Sequence, residues 1–344
     1  MPPFVSGSRV TIHDVARHAG VSHQTVSRVI NEHLSVAPST RQKVLEAIET
    51  LKYQPNQAAR SLVTQRSGTL GIVSFGLTYY GPAQMVVNIE RAARLRGYGV
   101  ALTSIPELSE GEIERGLLEL RKQSVDGFLL VAPLRGVNTE RIRSLCGHTP
   151  FVLLDAAETG GTPGVTIDQM SGGRLAAQHL LDLGHEHIAL LSGPQRWHDA
   201  RLRLEGWRAA LTHAGYTPVS VLEGDWTAAS GFGLTQELLA SRIPFTALVA
   251  GNDQMALGAL WALHERGVAV PSDVSVLGFD DIPESRFFHP PLTTVRQDFA
   301  ALGALSLAAL LEAVESPREA QALPTRVLLP ELVVRASTTS PRRT

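Results

Sequence analysis

The chain has 344 residues, with 31 Lys and Arg against 33 Asp and Glu, one cysteine, 44% hydrophobic and 19% charged residues. At about 100–200 residues per domain this length allows two or three domains with separate cores, and the composition excludes a mainly disordered chain. The lone Cys146 rules out an intrachain disulfide framework or a Cys-rich metal site. No apolar run approaches the about 18 residues of a membrane helix. Residues 1–8 lack the charged and apolar regions of a signal peptide, so a cytoplasmic protein is expected.

The formal net charge of −2 argues against a nucleic-acid partner until it is divided along the chain. Residues 1–66 hold eight basic and four acidic residues, and the remainder holds 23 basic and 29 acidic. A small basic head on a large acidic body is the asymmetry expected when only the head meets phosphate.

The head comes first in the chain. Thr11 is placed to cap a helix whose Ile12, Val15, Ala16 and Ala19 form an i, i+3, i+4, i+7 stripe, and Gly20 to end it. Ser22 is placed to cap a second helix, 23–31, with Val26, Val29 and Ile30 inward. Helix, short glycine turn and helix make a helix-turn-helix signature. The outer face of the second helix gathers His23, Gln24, Thr25 and Arg28. A recognition helix turns its N-terminal residues toward base edges, where Gln can bond adenine and Arg guanine. Ser22, Thr25 and Asn31 suit phosphate contacts. A third helix opens at Pro38 or at a capping box of Ser39 and Gln42, with Val44, Leu45, Ile48 and Leu51 on one side. After Pro55, the stretch 56–62 is helix-prone, yet far shorter than the about 12–15 residues that hold a helix alone. A linker and a short DNA-ordered helix with Leu62 as a minor-groove wedge both remain open.

Beyond Arg66 the chain alternates. Apolar runs at 70–73, 100–102, 188–191 and 274–277 read as strands, and glycines 97, 184, 215 and 267 close the helices between them. These are βα units on parallel sheets, and at more than 250 residues they suit two lobes better than one. Ligands of such sheets bind at the carboxyl ends of strands. Asp155, Asn252 and Asp280 follow strands there, where each could instead serve as a helix N-cap.

Enzymatic signatures are missing. No G-x-G-x-x-G follows a strand, no G-x-x-x-x-G-K-[ST] occurs, and no Cys/His metal spacing exists. Asp280 and Asp281 are adjacent on a strand end and point apart, and Ser192, Gly193 and His198 make no nucleophile elbow. A non-catalytic protein without cofactor is expected.

The string from Val10 to Asn31 and the segment Tyr53-Gln54-Pro55-Asn56 resemble the head of the LacI/GalR family. Residues 199–207, 223–226, 252–258 and 290–299 extend the likeness over nearly the whole chain. The resemblance implies an all-α helix-turn-helix head and an α/β body of two doubly wound parallel-sheet lobes of periplasmic-binding-protein type. It implies a head over 1–54, a hinge over 55–66, a body over 67–335 and a tail over 336–344. Lobe one would take about 67–165 and 299–325, and lobe two about 166–296 and 326–335. Function would be that of a repressor released from palindromic operator DNA by a small carbohydrate, a galactoside or related disaccharide leading. Asn56, Ala59 and Leu62 would join the DNA contacts of the head, including Thr11. Asp155, Arg201, Trp226, Asn252, Asp280 and Gln297 would line the inducer pocket, and Arg201→Ala would abolish the sugar response. Phe75, Tyr79, Met85, Val131 and Phe299 would border the same cleft. Val131 stands where galactoside-responsive members carry asparagine, and His23 where they carry tyrosine. No leucine heptad follows Arg335, so a homodimer is the expected assembly.

Overall fold

The computed structural model describes residues 10–30, 35–53, 66–107, 109–131, 138–155, 162–316 and 325–342. Contacts divide the chain into two units, 1–67 and 68–344.

Among its described residues the first unit has three helices, α1 (Ile12–Ala19), α2 (His23–Ile30) and α3 (Pro38–Thr50). A full capping box opens α1: Asp14 N–H donates to Thr11 Oγ1 (3.3 Å), and Thr11 N–H donates to Asp14 Oδ2 (2.9 Å). Gly20 ends α1 at φ +65°, a left-handed conformation that costs glycine nothing. The core is Val15, Ala16, Val26, Val29, Val44 and Ala47, with Ile48 and Leu51 against it. Helix α3 begins at Pro38, which resolves its cap. Leu45 was expected inside but is 47% exposed. One residue along a helix is 100° of rotation, so Val44, Ala47, Ile48 and Leu51 fill the inward stripe and leave Leu45 outside.

The second unit holds two six-stranded sheets. The first contains β1 (Thr69–Phe75), β2 (Gly99–Ile105), β3 (Gly127–Val131), β4 (Phe151–Leu154), β5 (Gly164–Ile167) and β11 (Arg326–Leu328), in the order β11-β5-β4-β3-β1-β2. All its described pairings are parallel. The second contains β6 (Ile188–Ser192), β7 (Ser220–Glu223), β8 (Ala247–Ala250), β9 (Ser275–Asp280), β10 (Thr293–Arg296) and β12 (Glu331–Val333), in the order β12-β10-β9-β8-β6-β7. Only β12 runs antiparallel to its neighbour.

The helices of the first lobe are α4 (Tyr80–Leu95), α5 (Glu110–Lys122), α6 (Thr139–Cys146) and α11 (Phe299–Glu315). Those of the second are α7 (Gln169–Asp182), α8 (His198–His213), α9 (Ala228–Ala240) and α10 (Asp253–Glu265). Each lobe buries apolar strand residues on both faces, as covered parallel sheets do. Glycines 97, 184, 215 and 267 all have positive φ, as helix-closing residues require.

The chain passes between lobes at Asp168, at Asp298 and between Leu328 and Glu331. Residues 326–328 therefore belong to the first lobe, not the second as expected, because β11 extends the first sheet beside β5. The expected tail also packs: Ser337 is fully buried, and its hydroxyl accepts from Thr293 N–H (2.7 Å) and donates to the Val276 carbonyl (2.6 Å).

In each sheet the strand order reverses beside its first strand, at β1/β3 and at β6/β8. Such switch points open crevices at the carboxyl ends of strands.

Candidate functional site

The head presents its polar face on α2. Ser22, His23, Gln24 and Arg28 are exposed and Thr25 is half-buried, while Val26 and Val29 anchor the opposite side. Ser22 Oγ accepts from Thr25 N–H (3.1 Å) and lies 2.9 Å from Thr25 Oγ1, so it acts as the cap of α2. Thr11 is likewise engaged in its capping box. Asn31, Asn56, Ala59 and Leu62 lie outside the described residues.

The body brings its polar groups to the switch points. A small cavity of about 30 Å³ is lined by Tyr79, Tyr80, Gly81 and Pro82 from the first lobe, and by Trp197, Asp199, Arg203, Trp226, Asn252 and Asp280 from the second. Its centre is Arg203, whose side chain is 5% exposed. Arg203 Nη1 donates to the Gly251 carbonyl (2.6 Å) and stands 3.4 Å from Asp280 Oδ1, and Nε donates to Gln169 Oε1 (2.9 Å). The guanidinium stacks 3.8 Å from the Phe279 ring centroid and 5.4 Å from that of Trp226.

Gln169 Nε2 donates to Gln297 Oε1 (2.8 Å), and Gln297 Nε2 donates to Asp280 Oδ1 (2.6 Å). Arg203, Gln169, Gln297 and Asp280 thus close a buried ring. Two of its members flank the interlobe passages at Asp168 and Asp298.

Glycines set this ring in place. A Cβ on Gly206 would meet the Met170 carbonyl, and one on Gly173 would meet the Arg203 carbonyl. Helices α7 and α8 can cross this closely only without side chains there, and the crossing fixes the backbone of Arg203.

Around one guanidinium stand three buried carboxylates. Burial pushes Asp155 and Asp280 each up to about 6, against the pull of Arg203. Burial and the charges of Asp155 and Asp280 hold Asp199 well above the usual carboxylate range. Asp155, Trp226, Asp280 and Asp281 all have left-handed φ, and strain of this kind concentrates at ligand sites. Aromatic faces complete the wall: Trp197 meets Phe75 (5.4 Å), Tyr79 (5.1 Å) and Trp226 (5.9 Å, edge-on).

The expected residues divide accordingly. Tyr79, Trp226, Asn252 and Asp280 line the cavity, Phe75 backs Trp197, and Gln297 acts through Asp280. Asn252 also caps α10, its Oδ1 accepting from Met255 N–H (2.8 Å) and its Nδ2 donating to the Trp226 carbonyl (3.0 Å). Met85, Val131 and Phe299 lie in the first-lobe core.

Arg201 is a correction. Its guanidinium pairs with Glu205 one turn along α8 (3.0 Å) and does not line the cavity. Arg203, two residues on and about 200° around the helix, takes the central place. A string of charged residues on one helix does not show which arginine faces inward. The burial of Ala200, Leu204, Trp207 and Leu211 around Arg203 was the available signal. Asp199 and Trp197 were missed as well.

A DNA-reading head joined to a two-lobed body with a polar, strained interlobe cavity defines a ligand-responsive transcriptional regulator. Residues 11–56 match the bacterial regulatory proteins of the lacI family, and residues 177–338 match the periplasmic binding protein-like domain. The chain is 38% identical over 330 residues to the lactose operon repressor of Escherichia coli K12, covering 96% of this chain and 91% of that protein. It is 37% identical over 310 residues to the ribose operon repressor of the same organism, covering 89% and 94%. The solved lac repressor dimer bound to operator and the anti-inducer ONPF superposes with a TM-score of 0.88 at 37% identity, covering 96% of this chain and all of that one. A complex of the transcriptional regulator CelR with cellobiose gives 0.71 at 34% identity over the same shares. The chain belongs to the lacI family: it is a sugar-responsive DNA-binding repressor, not an enzyme. Among the described residues, no helix is long and apolar enough to cross a membrane.

Proposed function

We propose that this protein binds operator DNA as a homodimer in the cytoplasm and leaves it when a small carbohydrate, a galactoside or related disaccharide, fills the interlobe cavity. The observation that carries the reading is the buried Arg203–Asp280 pair beneath the Trp226 ring. A fixed guanidinium and carboxylate discriminate neighbouring hydroxyls, and an aromatic face covers the C–H side of a sugar. His23, Gln24 and Arg28 read bases, with Ser22, Thr25 and Asn31 toward phosphates and Leu62 as the hinge wedge.

The second reading is a β-linked disaccharide that is not a galactoside. It is favoured by the second indole, Trp197, which joins Tyr79 and Trp226 in the aromatic wall of the cavity, and by the cellobiose complex of the related regulator.

Occupancy acts by population shift: sugar that binds better to one arrangement of the lobes favours it, and operator must weaken sugar binding by the same factor. The test is a thermal-shift screen of lactose, cellobiose and ribose, followed by operator release measured with the stabilising sugar. A sugar at 100 times its dissociation constant adds about 2.7 kcal/mol of stability. A protein stabilised by none of them, or whose operator affinity is the same with and without the best binder, would refute the proposal.

A further inference from the structure

The helix packing of the head brings two histidines together. His13 stands in the first turn of α1 and His23 opens α2, and their imidazole rings meet at 5.0 Å between centroids, tilted by 48°. Both residues are exposed. The packing of Val15 and Ala16 with Val26 and Val29, and the short turn through Gly20, set this approach. The polar surface of His23, Gln24 and Arg28 on α2 therefore continues onto α1 through His13.

The charges around this pair are those of the three packed helices. On α1, the Asp14 carboxylate accepts from the Thr11 hydroxyl (2.7 Å) and N–H (2.9 Å) and pairs with Arg17 (3.5 Å), and it lies close enough to feel the charge of His13. His18 lies in the last turn of the same helix. On α2 the charged residue besides His23 is Arg28. Helix α3 packs on both and carries Arg41, Lys43, Glu46 and Glu49, with Glu46 accepting from Gln42 (3.0 Å). Among the described residues, no carboxylate forms an ion pair with either imidazole.

Imidazole is the group of this surface whose charge changes between about pH 5 and 8, whereas Ser22, Gln24 and Thr25 do not ionise and Arg28 stays charged. A phosphate brought beside an imidazole favours its charged form, and a second charge on a ring in contact with the first is opposed. DNA then draws about one proton onto each pair as it binds. The charged ring offers two N–H donors toward phosphate or guanine, where the neutral ring offers one.

We propose that operator binding by this protein is linked to proton uptake on the His13–His23 pair, so that the repressor holds DNA more tightly as pH falls. The bound state carries more protons than the free one, which fixes the sign, and each proton taken up is worth about tenfold in affinity per pH unit. The inference rests on the reading of α2 as the base-contacting helix and adds to it a second input besides the sugar.

The experiment is fluorescence-anisotropy titration of a labelled duplex, selected from a random library by the native protein at pH 7, with the full chain at pH 6, 7 and 8 and fixed ionic strength. The native protein, His13→Gln, His23→Gln, the double variant and His18→Gln are compared by the ratio of their affinities at pH 6 and pH 8, which cancels any loss from a changed base contact. The native ratio is expected to exceed about tenfold, that of the double variant to fall below about twofold, and His18→Gln to keep the native ratio. Calorimetry at pH 7 in buffers of different ionisation enthalpy is expected to show net proton uptake on binding that the double variant lacks. A native ratio near one, or a ratio that survives in the double variant, would overturn the linkage. Arg28→Ala separates this from the reading it rests on. If that variant loses affinity while the native protein ignores pH, α2 still reads DNA and only the linkage fails; if it binds as the native protein does, the reading of α2 fails.

Discussion

Replacing Arg203 by methionine tests the centre of the body. Methionine still packs on Phe279, but it removes the guanidinium that Asp155, Asp199 and Asp280 share and leaves Gln169 Oε1 without its donor and the Gly251 carbonyl without this one. Breaking one side of a buried, hydrogen-bonded pair costs about 3–5 kcal/mol, because the remaining charge stays in the interior. Part of that cost is relieved by protonation. Asp280 already sits at about 6 with Arg203 in place, and without it the carboxyl moves higher. Each pH unit is about 1.4 kcal/mol, so the penalty is expected to be about 2 kcal/mol smaller at pH 5.5 than at pH 7.5. Urea unfolding of both proteins at the two pH values measures this directly. Arg201→Ala is the control: its guanidinium makes a partly exposed pair with Glu205, worth about 1 kcal/mol or less, and its sugar response should persist. An Arg203→Met protein as stable as the native one at pH 7.5, or equally destabilised at both pH values, would show that the ring does not hold the lobe as described. So would loss of the sugar response in Arg201→Ala with its retention in Arg203→Met.

Asp155 links folding to pH. Its folded value of about 6 exceeds the ordinary 3.8, so the native state holds the proton more tightly and stability falls as pH rises between those values. Relative to Asp155→Asn, the native protein is expected to lose on the order of 1–3 kcal/mol from pH 4.5 to 7 in denaturant titrations, and a flat difference would refute the assignment. Gly206→Ala places a methyl against the Met170 carbonyl and should lower stability by about 1–3 kcal/mol in the same assay. In the head, Ser22→Ala should destabilise α2 by about 0.5–2 kcal/mol, seen in the local hydrogen exchange of its first turn. Arg28→Ala should cost about 1–3 kcal/mol against an operator selected from a random library, with relaxed preference at one base pair; uniform loss across sequences would make Arg28 a phosphate contact.

Local chemistry by itself determined much of this protein. The capping residues Thr11 and Ser22, the helix-closing glycines and the apolar runs act within a few residues of themselves, so the head, the βα alternation and the strand-end positions of Asp155, Asn252 and Asp280 were legible without coordinates. The basic head on an acidic body was legible from charge alone, because electrostatic contact with DNA needs only the sign and place of charge. Tertiary structure decided what depends on direction. Arg203 rather than Arg201 faces the cavity because burial of the neighbouring apolar residues sets the rotation of α8, and two arginines two residues apart point to nearly opposite sides. Likewise, β11 joins the first sheet because a partner strand, β5, lies there, and pairing is a property of two segments rather than one. Asp199 and Trp197 carry no local signal of a site, and it is the meeting of two lobes that encloses them at the cavity wall.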